Sequence, residues 1–106
     1  MTFKKESPEN IQKLMSENDV ALIDVRSPQE RAGGRISGST GIDYRSTDFE
    51  KKLNELDKDK VLVLYCYIGN RSAAAGQKAE SIGFKNIYMI DGGISAWESH
   101  GLPIEK

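Results

Sequence analysis

The chain has 106 residues, enough for one core, with 38% hydrophobic and 29% charged residues. Its net charge of −1 provides no broad basic field for nucleic acid or anionic lipid, so any anion site must be local. The single cysteine excludes an internal disulfide, a cysteine-based zinc site and a two-cysteine redox couple within one subunit, and fits a reducing cytoplasm. No apolar run approaches the ~20 residues of a membrane span. The opening MTFKKESPEN has two lysines but no apolar stretch behind them, so no signal peptide is expected.

Ser7-Pro8-Glu9 reads as a helix start, a cap hydroxyl followed by proline and an acid, with Ile11, Leu14 and Met15 at helical spacing. Val20 to Ile23 is an almost wholly apolar run, expected as a strand buried on both faces. Ser27-Pro28-Gln29-Glu30 fits a capping box and a short helix that Gly33-Gly34 ends. Residues 35–46 are rich in Gly, Ser and Thr, with one brief strand expected near Ile42. Thr47-Asp48-Phe49-Glu50 reads as a second capping box, and Phe49, Leu53 and Leu56 as the buried stripe of its helix.

Val61 to Tyr65 is the strongest strand signal. A helix starting near Ser72 is expected to bury Ala75, Ala79 and Ile82 and to stop at Gly83. Ile87 to Ile90 is another strand, and Asp91-Gly92-Gly93 turns the chain into a last helix holding Ile94 and Trp97. Apolar strands alternating with helices predict an α/β fold with a small parallel sheet of about four or five strands, flanked by helices on both faces. Residues 1–106 read as a single domain without repeats or an internal linker.

Ligands of open parallel sheets bind at the carboxyl ends of the strands. Cys66 stands at that end of the best strand, and Tyr67, Ile68, Gly69, Asn70, Arg71 and Ser72 lead from it into a helix. Such a loop aims backbone N–H groups and the positive end of the helix dipole at one point. Gly69 permits a tight curl. Arg71 puts a cation where the dipole disfavours one, which makes sense if an anion offsets it. Helix N-termini and nearby cations favour a thiolate, and a ring of amide donors would make it a prepared nucleophile. The competing reading is plain: a lone cysteine in a small domain is more often a buried apolar filler. The joint pattern of strand, Cys-x-x-Gly-x-Arg-Ser and helix favours the nucleophile.

That pattern resembles the active loop of the rhodanese family of single-domain sulfurtransferases. Two further motifs extend the resemblance. Ile23-Asp24-Val25-Arg26 with Ser27-Pro28-Gln29-Glu30 resembles the family's early motif, and Gly83 to Trp97 followed by Gly101-Leu102-Pro103 resembles its closing one. The stretch Gly34-Arg35-Ile36-Ser37-Gly38-Ser39 departs from the family's usual Gly-His-Ile-Pro-Gly-Ala, which puts Arg35 where the family has histidine.

The resemblance implies a rhodanese-like fold and a ping-pong sulfurtransferase. Cys66 takes sulfur from thiosulfate or a low-molecular-weight persulfide and passes it to cyanide, a thiol or a sulfur-carrier protein. Neither metal nor organic cofactor is implied. Arg71 is expected to order the loop, and Asp24 and Arg26 to brace it from behind, with Asp24 equally readable as a turn former. Related phosphatases place five residues between cysteine and arginine. Here four intervene, Tyr67 to Asn70, which suits sulfur better than phosphate or arsenate. A module that keeps the fold without turnover is the other alternative, and the presence of both Cys66 and Arg71 argues against it. Tyr67 and Ile68 make the loop apolar and are candidates for selecting donor or acceptor.

The remaining conspicuous residues read as structural. His100 falls at the end of the last helix, Trp97 follows Ile94 at core spacing, and residues 51–60 form a mixed-charge solvated run. Asp91-Gly92-Gly93 reads as a turn.

Overall fold

The structure, a computed structural model, describes residues 3–106; Met1 and Thr2, part of the stretch read for a leader, lie outside it. The apolar run Val61–Tyr65 forms a strand that pairs on one side with Val20–Asp24 and on the other with Ile87–Ile90. Phe3–Glu6 and Thr40–Gly41 close the two edges. In chain order the strands are β1 (Phe3–Glu6), β2 (Val20–Asp24), β3 (Arg35–Ile36), β4 (Thr40–Gly41), β5 (Val61–Tyr65), β6 (Ile87–Ile90) and β7 (Ile104–Glu105). The main sheet runs β1-β6-β5-β2-β4, all parallel, while β3 and β7 form a separate antiparallel pair.

The helices are α1 (Pro8–Glu17), α2 (Pro28–Ala32), α3 (Phe49–Asn54), α4 (Asn70–Ser81) and α5 (Gly93–Ser99). The pleat of β5 sends alternate side chains to opposite faces. Leu62 and Leu64 join Ala75 and Ala79 of α4 and Phe49 and Leu53 of α3. Val63 and Tyr65 join Ile11 of α1 and Ile94 and Trp97 of α5. Both faces of the sheet are thus covered by helices, as the continuous apolar strands predicted. Cys66 continues the Leu62–Leu64 face, one residue beyond the strand, and is 1% exposed.

Several local expectations change. Thr47 caps nothing: Asp48 is the N-cap of α3, its carboxylate accepts from the Ser46 hydroxyl, and no side chain caps the helix. α4 begins at Asn70, two residues earlier than expected, because Gly69 turns the chain at φ 132. The strand expected near Ile42 is Thr40–Gly41, with Ile42 buried just after it. Leu56 and Ile82, expected in the core, are half-buried at its margin. β1 escapes a pattern search because an edge strand carrying Lys4, Lys5 and Glu6 is polar, and β3 and β7 are two residues each, too short for a period.

Candidate active site

Two neighbouring strands, β2 and β5, end side by side, with Asp24 in register with Tyr65. Each feeds a helix. After β2 the chain makes the turn Asp24-Val25-Arg26, and Ser27 then caps α2. The Ser27 hydroxyl accepts the Glu30 N–H, and the Glu30 carboxylate accepts the Ser27 N–H, the reciprocal capping box expected from the sequence. After β5 comes Cys66, then the loop 67–69, then α4. There Gly69 is the N-cap, and no side chain caps the helix.

The Cys66 Sγ occupies that uncapped end. It accepts the Gly69 N–H at 3.0 Å and lies 3.7 Å from Ser72 Oγ, which itself donates to the Gly69 carbonyl at 3.0 Å. A single amide therefore holds the sulfur, where a ring of donors was expected. Gly69 takes a conformation that L side chains rarely adopt, with open space where a Cβ would be. Tyr67 and Ile68 project outward at 54% and 57% exposure, the exposed large hydrophobic residues of the described chain. Asn70 is exposed as well, and Ser72 is buried.

Arg71 does not point its charge at an empty cup. Its Nη1 and Nη2 donate to the two oxygens of Glu30 at 2.7 and 2.9 Å. The anion inferred from the misplaced cation is thus a carboxylate of the same chain. The pairing is reciprocal: hydrogen bonds from Arg71, supported by those from Ser27, lower the Glu30 carboxyl from 4.5 to about 2. The same bond to Glu30, with a smaller electrostatic contribution from Cys66, raises the Arg71 guanidinium above its ordinary value. Arg71 in this way ties the cysteine loop to the β2–α2 junction.

Asp24 and Arg26 brace this frame. Asp24 is fully buried and accepts from the Arg26 backbone N–H, the Arg26 guanidinium and Arg31 Nη1. Arg26, 5% exposed, also donates to the Gly34 carbonyl at 2.7 Å and lies 5.8 Å from the centre of the Tyr65 ring. A buried carboxylate is tolerated here because two guanidinium groups and an amide saturate it. The Tyr65 hydroxyl, pushed up by burial, accepts the Ile36 N–H and donates to Ser39 Oγ. It fastens the stretch that departs from the family pattern. Arg35 turns away from the cysteine loop, to Glu105 of β7 at 3.4 Å and the Arg31 carbonyl.

Four contributors were missed in the sequence. Glu30 was read as a cap within the early motif with no role toward the loop, Arg31 and Tyr65 were given none, and Gly93 was read as a turn within the closing motif. Gly93 seats the loop: a Cβ there would overlap the carbonyl oxygens of Cys66 and Tyr67, and its φ is +61. That close approach lets Ile94 N–H reach the Cys66 carbonyl at 3.0 Å and Ser95 N–H the Tyr67 carbonyl at 3.1 Å. The start of α5 therefore holds the first two loop residues. The repeated glycine at 92–93 was the available signal. Of the other residues weighed, Trp97 is core, donating Nε1–H to the Pro103 carbonyl, and His100 pairs with Glu9 at 2.6 Å.

Two hollows flank the loop. One, of about 400 Å³, runs beside Tyr67, Ile94, Glu98 and Ile104, with Glu30 and Gly34 at its margin. The other, of about 150 Å³, lies between Ile68, Asn70, Lys5 and Asp91. Among the described residues no cluster of His, Cys, Asp and Glu has the makings of a metal site.

A parallel sheet covered by helices on both faces, with a cysteine-bearing loop at its carboxyl edge, defines an α/β protein. Residues 7–100 match the family model of the Rhodanese-like domain. The thiosulfate sulfurtransferase GlpE of Pseudomonas aeruginosa is 40% identical over 99 residues, spanning 92% of this chain and 86% of that one. A rhodanese-related protein of Thermoplasma volcanium superposes with a TM-score of 0.84 at 28% identity, over 96% of this chain and 97% of that one. A polysulfide-sulfur transferase homodimer of Wolinella succinogenes superposes with a TM-score of 0.81 at 34% identity, over 98% and 79%. The chain belongs to the rhodanese-like domain family.

Proposed function

We propose that the protein is a sulfurtransferase that carries a sulfane sulfur as a persulfide on Cys66, taken from thiosulfate or a small persulfide and delivered to cyanide or a thiol. The observation that carries this reading is the placement of Cys66 Sγ in the uncapped mouth of α4, 3.0 Å from the Gly69 N–H. Relatives named as thiosulfate and polysulfide sulfur transferases support the donor class.

The Cys66 thiolate attacks the outer sulfur of thiosulfate, the donor's S–S bond breaks, and its electron pair leaves with sulfite. Cyanide or a thiolate then attacks the outer sulfur of the persulfide, and the pair of that S–S bond returns to Cys66. Two nucleophilic displacements suffice, with no net oxidation to be supplied from outside. Cys66 itself is nearly inaccessible, 1% exposed. The persulfide then carries the transferable sulfur about 2 Å outward, one S–S bond length. Ser72 and the first-turn amides of α4 hold the extra charge, while Arg71, pinned by Glu30, fixes the loop's shape. Asp24 and Arg26 keep that frame rigid. A sulfur-carrier protein is a further acceptor of the same chemistry.

The proposed unit is the single domain 1–106, and the proposed compartment is the cytoplasm, which suits a free thiol. No helix among the described residues is long and apolar enough to cross a membrane.

Intact mass after brief exposure to thiosulfate or glutathione persulfide, then after cyanide, tests the cycle. A gain of one sulfur, mapped to Cys66 and removed by cyanide, is expected. A folded protein with a reactive thiol that gains no sulfur from either donor would favour the non-catalytic module.

A further inference from the structure

The smaller hollow adjoins the reacting sulfur. Two of its lining residues meet Cys66 Sγ: the Gly69 N–H at 3.0 Å and the Ser72 hydroxyl at 3.7 Å. It also lies on the sulfur's face of the sheet. Cys66 clusters there with Ala75 and Ala79 of α4 and Ile87 of β6. Phe3 of β1 packs on the same face, its ring 3.3 Å from where a Cβ on Gly76 of α4 would stand. Two residues on from Phe3 and Ile87, Lys5 and Met89 stand in register, share that face by the pleat and line the hollow.

The hollow is charged at two separate points. Lys5 supplies a cation and Asp91 a carboxylate. Both are exposed, they form no ion pair with each other, and no other group engages either side chain among the described residues. Asp91 stands two residues beyond Met89, the partner of Lys5, and so ~7 Å further along the strand direction. One positive and one negative point match neither a simple anion nor a simple cation, but they match a zwitterion. The volume of about 150 Å³ equals about five water volumes of ~30 Å³ each. That takes a three-carbon amino acid and is too small for a tripeptide thiol.

We infer that this hollow receives the acceptor in the second half of the reaction, and that the acceptor is a free amino-acid thiol, its carboxylate on Lys5 and its ammonium on Asp91. The inference rests on the sulfurtransferase reading above and names the acceptor of that same site. The outer sulfur of the persulfide, about 2 Å beyond Sγ, meets the acceptor at the wall that Gly69 and Ser72 form. The acceptor thiolate attacks that sulfur, an S–S bond forms to the acceptor, and the enzyme's S–S bond breaks. Its electron pair restores the Cys66 thiolate, and the persulfide proton leaves with the product.

The test separates this claim from the reading beneath it. Cys66 is loaded with sulfur from thiosulfate, excess donor is removed, and persulfide loss is followed by intact mass during a chase. Three thiols are compared at equal thiolate concentration: free cysteine carries both charges, cysteamine only the ammonium, and 3-mercaptopropionate only the carboxylate. Lys5→Gln should slow cysteine and 3-mercaptopropionate relative to cysteamine. Asp91→Asn should slow cysteine and cysteamine relative to 3-mercaptopropionate. One exposed ion pair corresponds to about three- to fivefold in each ratio of second-order rate constants, and the effect should shrink at high salt. Ratios taken within one variant cancel any shared change in fold or loop geometry. Ratios within about twofold of wild type in either variant, even where all three thiols slow together, would overturn the assignment while leaving the carrier cycle intact. Failure of wild-type Cys66 to acquire sulfur at all would overturn both.

Discussion

The two strand-to-helix junctions at the carboxyl edge of the sheet are built from similar parts and do opposite work. At the β2–α2 junction the helix start is closed by its own side chains: Ser27 and Glu30 cap each other, and Asp24 is saturated by Arg26 and Arg31. At the β5–α4 junction the helix has no side-chain cap, and a sulfur atom accepts the Gly69 amide. A capped helix start is a finished structure, whereas an uncapped one keeps donors for a ligand. The two are coupled by one ion pair, Glu30 to Arg71, through which the finished junction holds the open one.

Four predictions would break or sharpen this contrast. The largest effect belongs to Cys66→Ser. Sulfur transfer should fall by about a thousandfold or more, to background, with unfolding free energy changed by no more than about 1 kcal/mol. Steady-state cyanide turnover and urea unfolding measure the pair. Persistent transfer in this variant would remove the open junction from the chemistry.

Gly93→Ala comes next, because its methyl group would collide with the carbonyls of Cys66 and Tyr67. A loss of about 2–3 kcal/mol in stability and at least about tenfold in transfer is expected, since both the backbone conformation and the loop seat are affected. Wild-type behaviour in both assays would mean that α5 does not seat the loop.

Glu30→Gln keeps a side chain able to complete the capping box and removes only the charge facing Arg71. With Glu30 partly exposed, the stability cost should be about 1 kcal/mol, accompanied by a several-fold loss of transfer from an untethered loop. The pH dependence has a definite sign. The folded-state value of about 2 lies below the ordinary 4.5, so the contribution is complete above 4.5 and disappears as pH falls through about 2. The wild-type advantage over Glu30→Gln in denaturant titrations should therefore be level from neutral pH to about 5 and decline below it.

The smallest effects distinguish the two Ser/Thr-x-x-Glu signals. Ser27→Ala should cost about 1 kcal/mol, the usual value of a working cap. Thr47→Ala should change stability by less than about 0.5 kcal/mol, because α3 takes its N-cap from Asp48 and gains no side-chain bond there. Equal costs for both would contradict the capping assignments.

The difference between those two motifs shows what was legible. Ser27 and Thr47 head the same local pattern, yet only one forms the box, because α3 takes Asp48 as its N-cap and so puts Glu50 at the second helical position, not the third. The central strands and the long helices were readable because each buries a continuous or periodic apolar face. Edge strand β1 and the short β3–β7 pair were not, since their stability comes from partners far along the chain. Cys66, Gly69 and Arg71 stood out because their spacing is local. Gly93 could not be read in that way, because its role depends on a carbonyl 26–27 positions earlier being brought against it.

By itself the sequence determined the alternation of strand and helix, the position of the thiol at a strand end, and the glycine turn between the thiol and the helix that follows. These depend on neighbours a few residues apart, where propensity and hydrogen-bond chemistry act directly. Only the tertiary structure decided what Arg71 is for. The local sequence placed a cation at the positive end of a helix and called for an anion. The fold supplied that anion from Glu30, 41 residues earlier, by setting the ends of β2 and β5 side by side.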